Sequence, residues 1–416
     1  MTSSRRVGVV GAGMAAARFA QQVAVRDPGA SVTVFGDEEY QPYNRALLAD
    51  VLGARFRPEE IALSVGPSAL VRTRTRVAAL DAEQCSLRLV DGAVHDFDEI
   101  VLATGAGPVL PPIRNVRAGA VPLGLPASAA RSAASELLSG VHAFRSLADC
   151  AALAAAVPAA RRAVVIGGGV LGVSAARALA SLGVAVEIVH QAPELMERHL
   201  DAPAAGALRR GLEALGVAVY LGNRVRALTG TEHVDGVELA NGHVLDADLV
   251  VLACGVRPRV ALARAAGLRV GAGVVVDDRL ATSAPGVYAI GDCAEFAGQV
   301  HGLAAAAWDQ ADVLAAHLTG GGARYAGSRT VLRLTAGPLA VAAFGTTAAR
   351  SGDDVVRVAD PTRNAYKKLV IRGDRLVAAI LVGDVATAGA LTRAFERDDP
   401  LPTDPVHLLA TPAAHR

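Results

Sequence analysis

Cysteine is scarce in this 416-residue chain: four residues, Cys85, Cys150, Cys254 and Cys293, with no C-x-x-C pair among them. That scatter argues against a metal site and a disulfide framework, and it fits a reducing cytoplasm. No cysteine at all occurs in residues 1–84. Charge of one sign is lacking too. Lys+Arg 41 against Asp+Glu 40 leaves +1, which removes any global case for nucleic acid or an anionic membrane as partner. No uninterrupted apolar run reaches the roughly 18–20 residues that span a bilayer. The start, with Arg5 and Arg6 before apolar residues, has the outline of a signal peptide, but Arg18, Gln21 and Gln22 break the segment and a glycine turn at Gly11 explains it better. The expectation is a soluble cytoplasmic protein with no nucleic-acid or membrane partner. What is abundant is apolar residue, 52%, much of it alanine, enough for the cores of two or three domains.

Glycine punctuates the chain in two similar places. Residues 7–10 read as a short apolar strand, followed by Gly11-Ala-Gly-Met-Ala-Ala16 with G-x-G-x-x-A spacing and a helix through Gln22. In such a unit Gly11 allows the tight turn, Gly13 lets the backbone approach a pyrophosphate, and Ala16 is small enough for the helix to pack on its strand. The helix N-terminus then offers unpaired N–H groups to the phosphates. A strand at 31–35 follows, and its end, where an acid usually holds ribose hydroxyls, is Gly36. Asp37, Glu38 or Glu39 takes over there, or backbone groups hold the adenosine; both options stay open. The second unit, Arg162-Ala-Val-Val-Ile-Gly-Gly-Gly-Val-Leu-Gly172, carries the full G-x-G-x-x-G at Gly167, Gly169 and Gly172, then a helix over 170–182 and a strand over 185–189. Its ribose position is His190. The third glycine favours NADH; the missing carboxylate and nearby Arg198 keep NADPH open.

Between and after these units lie three further signals. Residues 77–94 suggest a small hairpin region turning at Asp91-Gly92. Phe97-Asp-Glu-Ile-Val-Leu-Ala-Thr-Gly105 and Leu249-Val-Val-Leu-Ala-Cys-Gly255 are two buried strands of one type, and residues 115–140 form an elaborated Ala/Ser/Pro loop after the linker prolines Pro108, Pro111 and Pro112. Gly286-Val-Tyr-Ala-Ile-Gly-Asp292 is a short strand ending in Gly291-Asp292, and a helix is expected over 301–317. From Arg329 alternating segments at 330–334, 339–344, 355–358, 367–371 and 376–382 read as antiparallel strands, with a turn at Gly373-Asp374 and a closing helix at 386–397.

Taken together, two glycine fingerprints, two Ala-x-Gly strands and a Gly-Asp strand end resemble the FAD- and NAD(P)H-binding pyridine nucleotide-disulfide oxidoreductase-like superfamily. Tyr43-Asn-Arg45, Met196-Glu-Arg198 and Tyr366-Lys-Lys368 resemble the flavin domain of the assimilatory NAD(P)H nitrite reductase large subunit and the nitrate reductase electron transfer subunit. The likeness runs from about Arg6 to Asp384. It implies an α/β protein with two Rossmann-like dinucleotide-binding domains and a C-terminal α+β domain: FAD-binding 1–118 and 261–322, NAD(P)H-binding 143–260, and 323–416 as an interface domain. It further implies that Asp292 takes the ribityl hydroxyls, that Thr104, Gly105 and Gly255 line the cofactors at the crossover strands, and that Arg45 lies near the flavin. The nicotinamide would stack on the flavin and pass hydride to N5. Electrons would leave to a separate iron–sulfur, sirohaem or molybdenum redox protein, because the 41–52 segment, where disulfide reductases keep their dithiol, has no cysteine. The relatives continue into iron–sulfur and sirohaem domains; this chain stops at Arg416 and its four cysteines make no cluster ligand set. A ferredoxin or rubredoxin reductase for another pathway, such as a haem monooxygenase, is the alternative, and a flavin-binding sensor or scaffold without turnover a third reading. A homodimer stays open. In the ferredoxin reductases a Lys at the position of Asp50 pairs with a Glu at that of Ser174 close to flavin N5. Here both are changed, either as drift or so that Asp50 alone supplies a carboxylate by the nicotinamide.

Overall fold

The structure is a computed structural model describing residues 4–117, 137–329, 331–336, 339–402 and 405–409. Most of the 115–140 loop expected from the sequence lies outside the described residues. The chain divides into two compact units, one made of Met1–Leu48, Phe56–Gly107 and Val256–Thr330, the other of Ala49–Arg55, Pro108–Gly255 and Val331–Arg416.

In the first unit the sheet runs in the order Val287–Ala289, Glu99–Leu102, Arg6–Val10, Ser31–Phe35, Ala69–Arg72, all parallel. These strands are short and almost continuously apolar because helices cover the sheet, the usual condition of a parallel sheet. Val7, Val9, Ile100, Val101 and Val287 are fully buried, as is Phe19 from the Met14–Arg26 helix. That helix packs along Ala304–Leu318 through small residues, and Arg18 clasps Asp312 with two hydrogen bonds of 2.6 and 2.8 Å. The segment expected as a hairpin is a three-stranded antiparallel sheet, Val77–Asp81, Ser86–Leu89 and Val94–Asp96, with Asp91-Gly92 turning between the last two.

The second unit repeats the plan. Its parallel sheet runs Ala218–Tyr220, Ala185–Val189, Arg162–Ile166, Leu249–Leu252, Val141–Ala143. A five-stranded antiparallel sheet follows, ordered Val331–Ala336, Leu339–Gly345, Arg375–Val382, Ala365–Arg372, Asp354–Asp360, with the Ala388–Arg397 helix packed on it through Leu391 and Phe395. The molecule is therefore mixed α/β, two Rossmann-like sheets and a C-terminal α+β module.

The Tyr366-Lys-Lys368 run makes a clasp inside this unit. The Tyr366 hydroxyl and the Lys368 ammonium both donate to Asp201 at 3.0 Å, the residue that caps the Ala202–Glu213 helix by accepting from the Ala204 amide. Lys367, on the other face of the strand, donates to Asp384 at 2.7 Å and to the Leu409 carbonyl at 2.8 Å. Both lysines are buried, a placement tolerated because each charge is paired and further hydrogen bonded. Burial and the neighbouring Asp201 carboxylate push the Tyr366 hydroxyl up to about 12.

Candidate functional site

Each parallel sheet ends its first strand in a glycine turn of the same construction. The Gly11 amide donates to the Phe35 carbonyl at 2.8 Å, and the Gly167 amide to the Val189 carbonyl at 2.9 Å. Their φ angles, +105° and +119°, favour glycine, and a Cβ would stand 2.2 Å from the Ala103 carbonyl oxygen in one case and 2.3 Å from that of Ala253 in the other. The strands expected as crossovers thus carry the carbonyls on which the two turns sit. Gly13 and Gly169 cap the following helices, of 13 and 12 residues, in extended conformation with no side-chain cap. A Cβ on either would meet nothing within 4 Å. Both cradles therefore fit a dinucleotide pyrophosphate: amide N–H groups without a side-chain cap, the positive end of a helix, and open space at the one residue a phosphate must approach. The third small position differs between them. Ala16 is fully buried and accommodated, whereas a Cβ at Gly172 would lie 1.9 Å from the Gly167 carbonyl oxygen.

Around the first cradle the unit gathers polar groups from distant parts of the chain. Gly291-Asp292 ends the Val287–Ala289 strand and lies against the glycine helix, a Cβ on Gly291 standing 3.0 Å from that of Ala15. Its amide is fixed by the buried Gln310 side chain, 2.7 Å away. Glu38 accepts from the Tyr43 hydroxyl at 2.6 Å and is ion-paired with Arg45, whose guanidinium lies over the Tyr43 ring. Burial works against the Arg45 charge, but Tyr43, Glu38 and Asp292 raise its pKa. Asp37 is exposed. Thr104 donates to the Arg259 carbonyl at 2.7 Å while the Arg259 amide donates to Gly105 at 2.9 Å, so the two crossover segments meet here. Cys293 is fully buried, its thiol donating to the Leu102 and Ile290 carbonyls, and burial pushes its pKa up.

Around the second cradle, His190 ends the Ala185–Val189 strand with its ring against Gly168 and its Nε2 3.0 Å from a Glu197 carboxylate oxygen. Cys254 donates to the Ile166 carbonyl at 3.4 Å, and burial pushes its thiol up to about 11. Gly255 follows it, open on its Cα side. Ser174 bonds back within its helix to the Val170 carbonyl at 2.7 Å. Asp50 is not paired with Ser174. Its carboxylate accepts from Arg177 at 2.9 Å, one helical turn further on, and from Arg55 at 3.4 Å. Asp50 and Arg177 are both 8% exposed, and the Arg177 Nε is buried with no partner among the described residues. Among those residues no cluster of His, Cys, Asp and Glu suits a metal ion, and no helix is long and apolar enough to cross a membrane.

Three residues of this geometry escape a reading of the sequence. Gln310 is anonymous in its alanine-rich helix, Arg177 carries only the weak signal of a charge on an apolar helix face, and Glu197 lies seven residues beyond the strand end it serves.

Residues 5–311 match the model of the pyridine nucleotide-disulphide oxidoreductase family, and residues 333–398 that of the rubredoxin NAD+ reductase C-terminal domain. The chain is 33% identical over 95% of its length to a nitrite reductase [NAD(P)H] of Bacillus subtilis. It is 30% identical over 91% of its length to the assimilatory nitrate reductase electron transfer subunit of the same organism. It spans about half of each relative, 47% and 48%. Among solved structures it is similar to the ferredoxin reductase for the CYP199A2 system from Rhodopseudomonas palustris, with TM-score 0.82, 26% identity and 96% of each chain covered.

Proposed function

The chain belongs to the pyridine nucleotide-disulphide oxidoreductase family, and from that premise we propose that it takes hydride from NAD(P)H and hands electrons to a separate iron–sulfur redox protein, in assimilatory nitrite or nitrate reduction. It is an NAD(P)H-dependent flavoprotein oxidoreductase with FAD and NADH or NADPH as cofactors. When bound, the nicotinamide supplies the hydride and the flavin converts it into electrons that leave one at a time.

The chain's own residues bind and orient. Gly11, Gly13 and Ala16 take the FAD pyrophosphate, and Asp292 accepts from the ribityl hydroxyls. The Glu38–Arg45–Tyr43 cluster stiffens the segment over the same cofactor. Gly167, Gly169 and Gly172 take the pyrophosphate of the nicotinamide coenzyme. Residues 1–118 and 261–322 are then the flavin-binding parts, 143–260 the coenzyme-binding part, and 323–416 the interface module. Asp50 and Arg177 act as a neutralised pair that ties residues 49–55 to the middle of the Val170–Ser181 helix, in keeping with their mutual burial.

The observation that carries this reading is the pair of open, glycine-capped helix N-termini, each seated on a crossover carbonyl. The four cysteines are free thiols with no C-x-x-C pair, so no C-x-x-C dithiol stands ready to take the reducing equivalents. The match of 333–398 to the rubredoxin reductase C-terminal domain favours a second reading, a reductase serving a ferredoxin or rubredoxin of another pathway. Anaerobic titration of the purified flavoprotein with NADH and NADPH, followed by mixing with a ferredoxin, a rubredoxin or a sirohaem nitrite reductase, tests both. The expected result is bleaching by the coenzyme and reoxidation by one of these proteins. Reoxidation by dioxygen alone would sink the electron-transfer role.

A further inference from the structure

The strand that should present a carboxylate to the coenzyme ribose ends in His190, whose side chain is only 10% exposed. A buried imidazole is poorly placed to be the main contact for a ligand. It is, however, hydrogen bonded at 3.0 Å to Glu197, whose side chain is 42% exposed. The segment bearing Glu197 is fastened back onto the glycine turn. The Met196 amide donates to the Gly168 carbonyl at 2.9 Å, and Met196 itself holds a left-handed φ of +52°. That conformation is unusual for a side chain without a local hydrogen-bonding group and is kept by its surroundings. The His199 and Leu200 amides donate to the Met196 carbonyl at 2.8 and 3.1 Å, closing the segment. The His190 amide is held by the Tyr220 carbonyl at 2.9 Å, and its carbonyl accepts from the Asn223 amide at 3.1 Å, so the strand end is fixed on both sides.

We propose that Glu197, presented by His190, supplies the carboxylate that accepts the adenosine ribose hydroxyls, and that it makes this chain select the coenzyme lacking a 2′-phosphate. This rests on reading the second glycine cradle as the nicotinamide-coenzyme site. A carboxylate hydrogen bonded by an imidazole keeps acceptor capacity for a diol. A 2′-phosphate in the same place brings like charges together at short range. Burial works against the Glu197 charge, yet the His190 hydrogen bond and the segment's own amide lower its pKa, so the group is ionised at neutral pH. Arg198 is exposed beside it, and its guanidinium is suited to a phosphate. The geometry assigns the strand end to its neighbour instead, because the hydrogen bond to His190 is made by Glu197.

The test uses the full flavoprotein and measures dissociation constants of NAD+ and NADP+ by calorimetry, with kcat/KM for NADH and NADPH alongside. The wild type should bind NAD+ more tightly than NADP+. Glu197→Gln should weaken NAD+ about tenfold, the loss of one charge-assisted hydrogen bond, and narrow the ratio. Glu197→Arg should turn the ratio towards NADP+. His190→Ala should reproduce part of the Glu197→Gln loss through misplacement, with Glu197→Asp retaining some preference. FAD content checks that each variant is folded. A wild type that prefers NADP+ overturns the proposal. So does a ratio unmoved by Glu197→Gln but moved by Arg198→Ala. If neither coenzyme binds the folded wild type, the assignment of the cradle itself has failed, and the proposal with it.

Discussion

Asp50, in the short Leu48–Leu52 helix, and Arg177, midway along the Val170–Ser181 helix, form one buried ion pair. Each is 8% exposed, and they meet at 2.9 Å, with Arg55 as a weaker second partner at 3.4 Å. Two charges taken out of water break even only when each keeps its partner. Removing one alone leaves the other stranded: Asp50→Leu should destabilise the protein by about 3–5 kcal/mol, and Arg177→Met by a similar amount. The double variant should recover most of that loss, because an apolar pair of like volume carries no desolvation penalty. Equilibrium unfolding in denaturant measures all three. Equal, additive losses in the double variant would show that the two side chains are not coupled. The sequence displays Asp50 as an isolated acid in an apolar stretch, and nothing in its spacing names a partner 127 positions away.

At the scale of elements, the glycine turns were legible because their constraint is local. A strand, a left-handed glycine, an open glycine and a small residue must follow one another at fixed spacing, and both runs do. The helices Leu147–Ala156 and Ala202–Glu213 carried readable starts, a Ser146/Asp149 capping box and an Asp201 cap before Pro203, yet the alanine-rich interior of the first hides the apolar stripe that would have announced it. Glu197 stands in the quoted Met196-Glu-Arg198 run, but its link to His190 was out of reach for a different reason. Its return to the strand end depends on the left-handed Met196, a residue type that does not advertise such a conformation. The two turns also differ in a way that can be measured. A Cβ at Gly172 would sit 1.9 Å from the Gly167 carbonyl oxygen, while Ala16 already carries one without conflict. Gly172→Ala should therefore lower the melting temperature and weaken coenzyme binding together, whereas Ala16→Gly should cost no more than about 1 kcal/mol. A Gly172→Ala protein as stable as the parent would mean that the second helix has room the structure denies it.

For the molecule as a whole, the route of electrons is the issue, and the thiols are poor candidates for it. Burial pushes Cys150 and Cys254 up to about 11 and also raises Cys85 and Cys293, so thiolate is scarce at neutral pH. A protein with all four cysteines replaced by serine or alanine should still pass electrons from NADH to ferricyanide or a ferredoxin. Loss of the oxidative half-reaction alone in that protein would reveal a thiol relay.

The central claim is that the chain holds two dinucleotides on two separate cradles, flavin on the first and nicotinamide coenzyme on the second. Gly13 and Gly169 have ordinary φ angles of −93° and −77°, and a Cβ on either meets nothing within 4 Å, so a branched residue is expected to fill the cradle and leave the fold in place. The decisive measurement is flavin content and anaerobic stopped-flow reduction by NADH for Gly13→Val and Gly169→Val side by side. The account predicts that Gly13→Val is folded but largely colourless, and that Gly169→Val is yellow with full FAD but is not reduced by NADH. The reverse pattern, or loss of both cofactors in each variant, would contradict it.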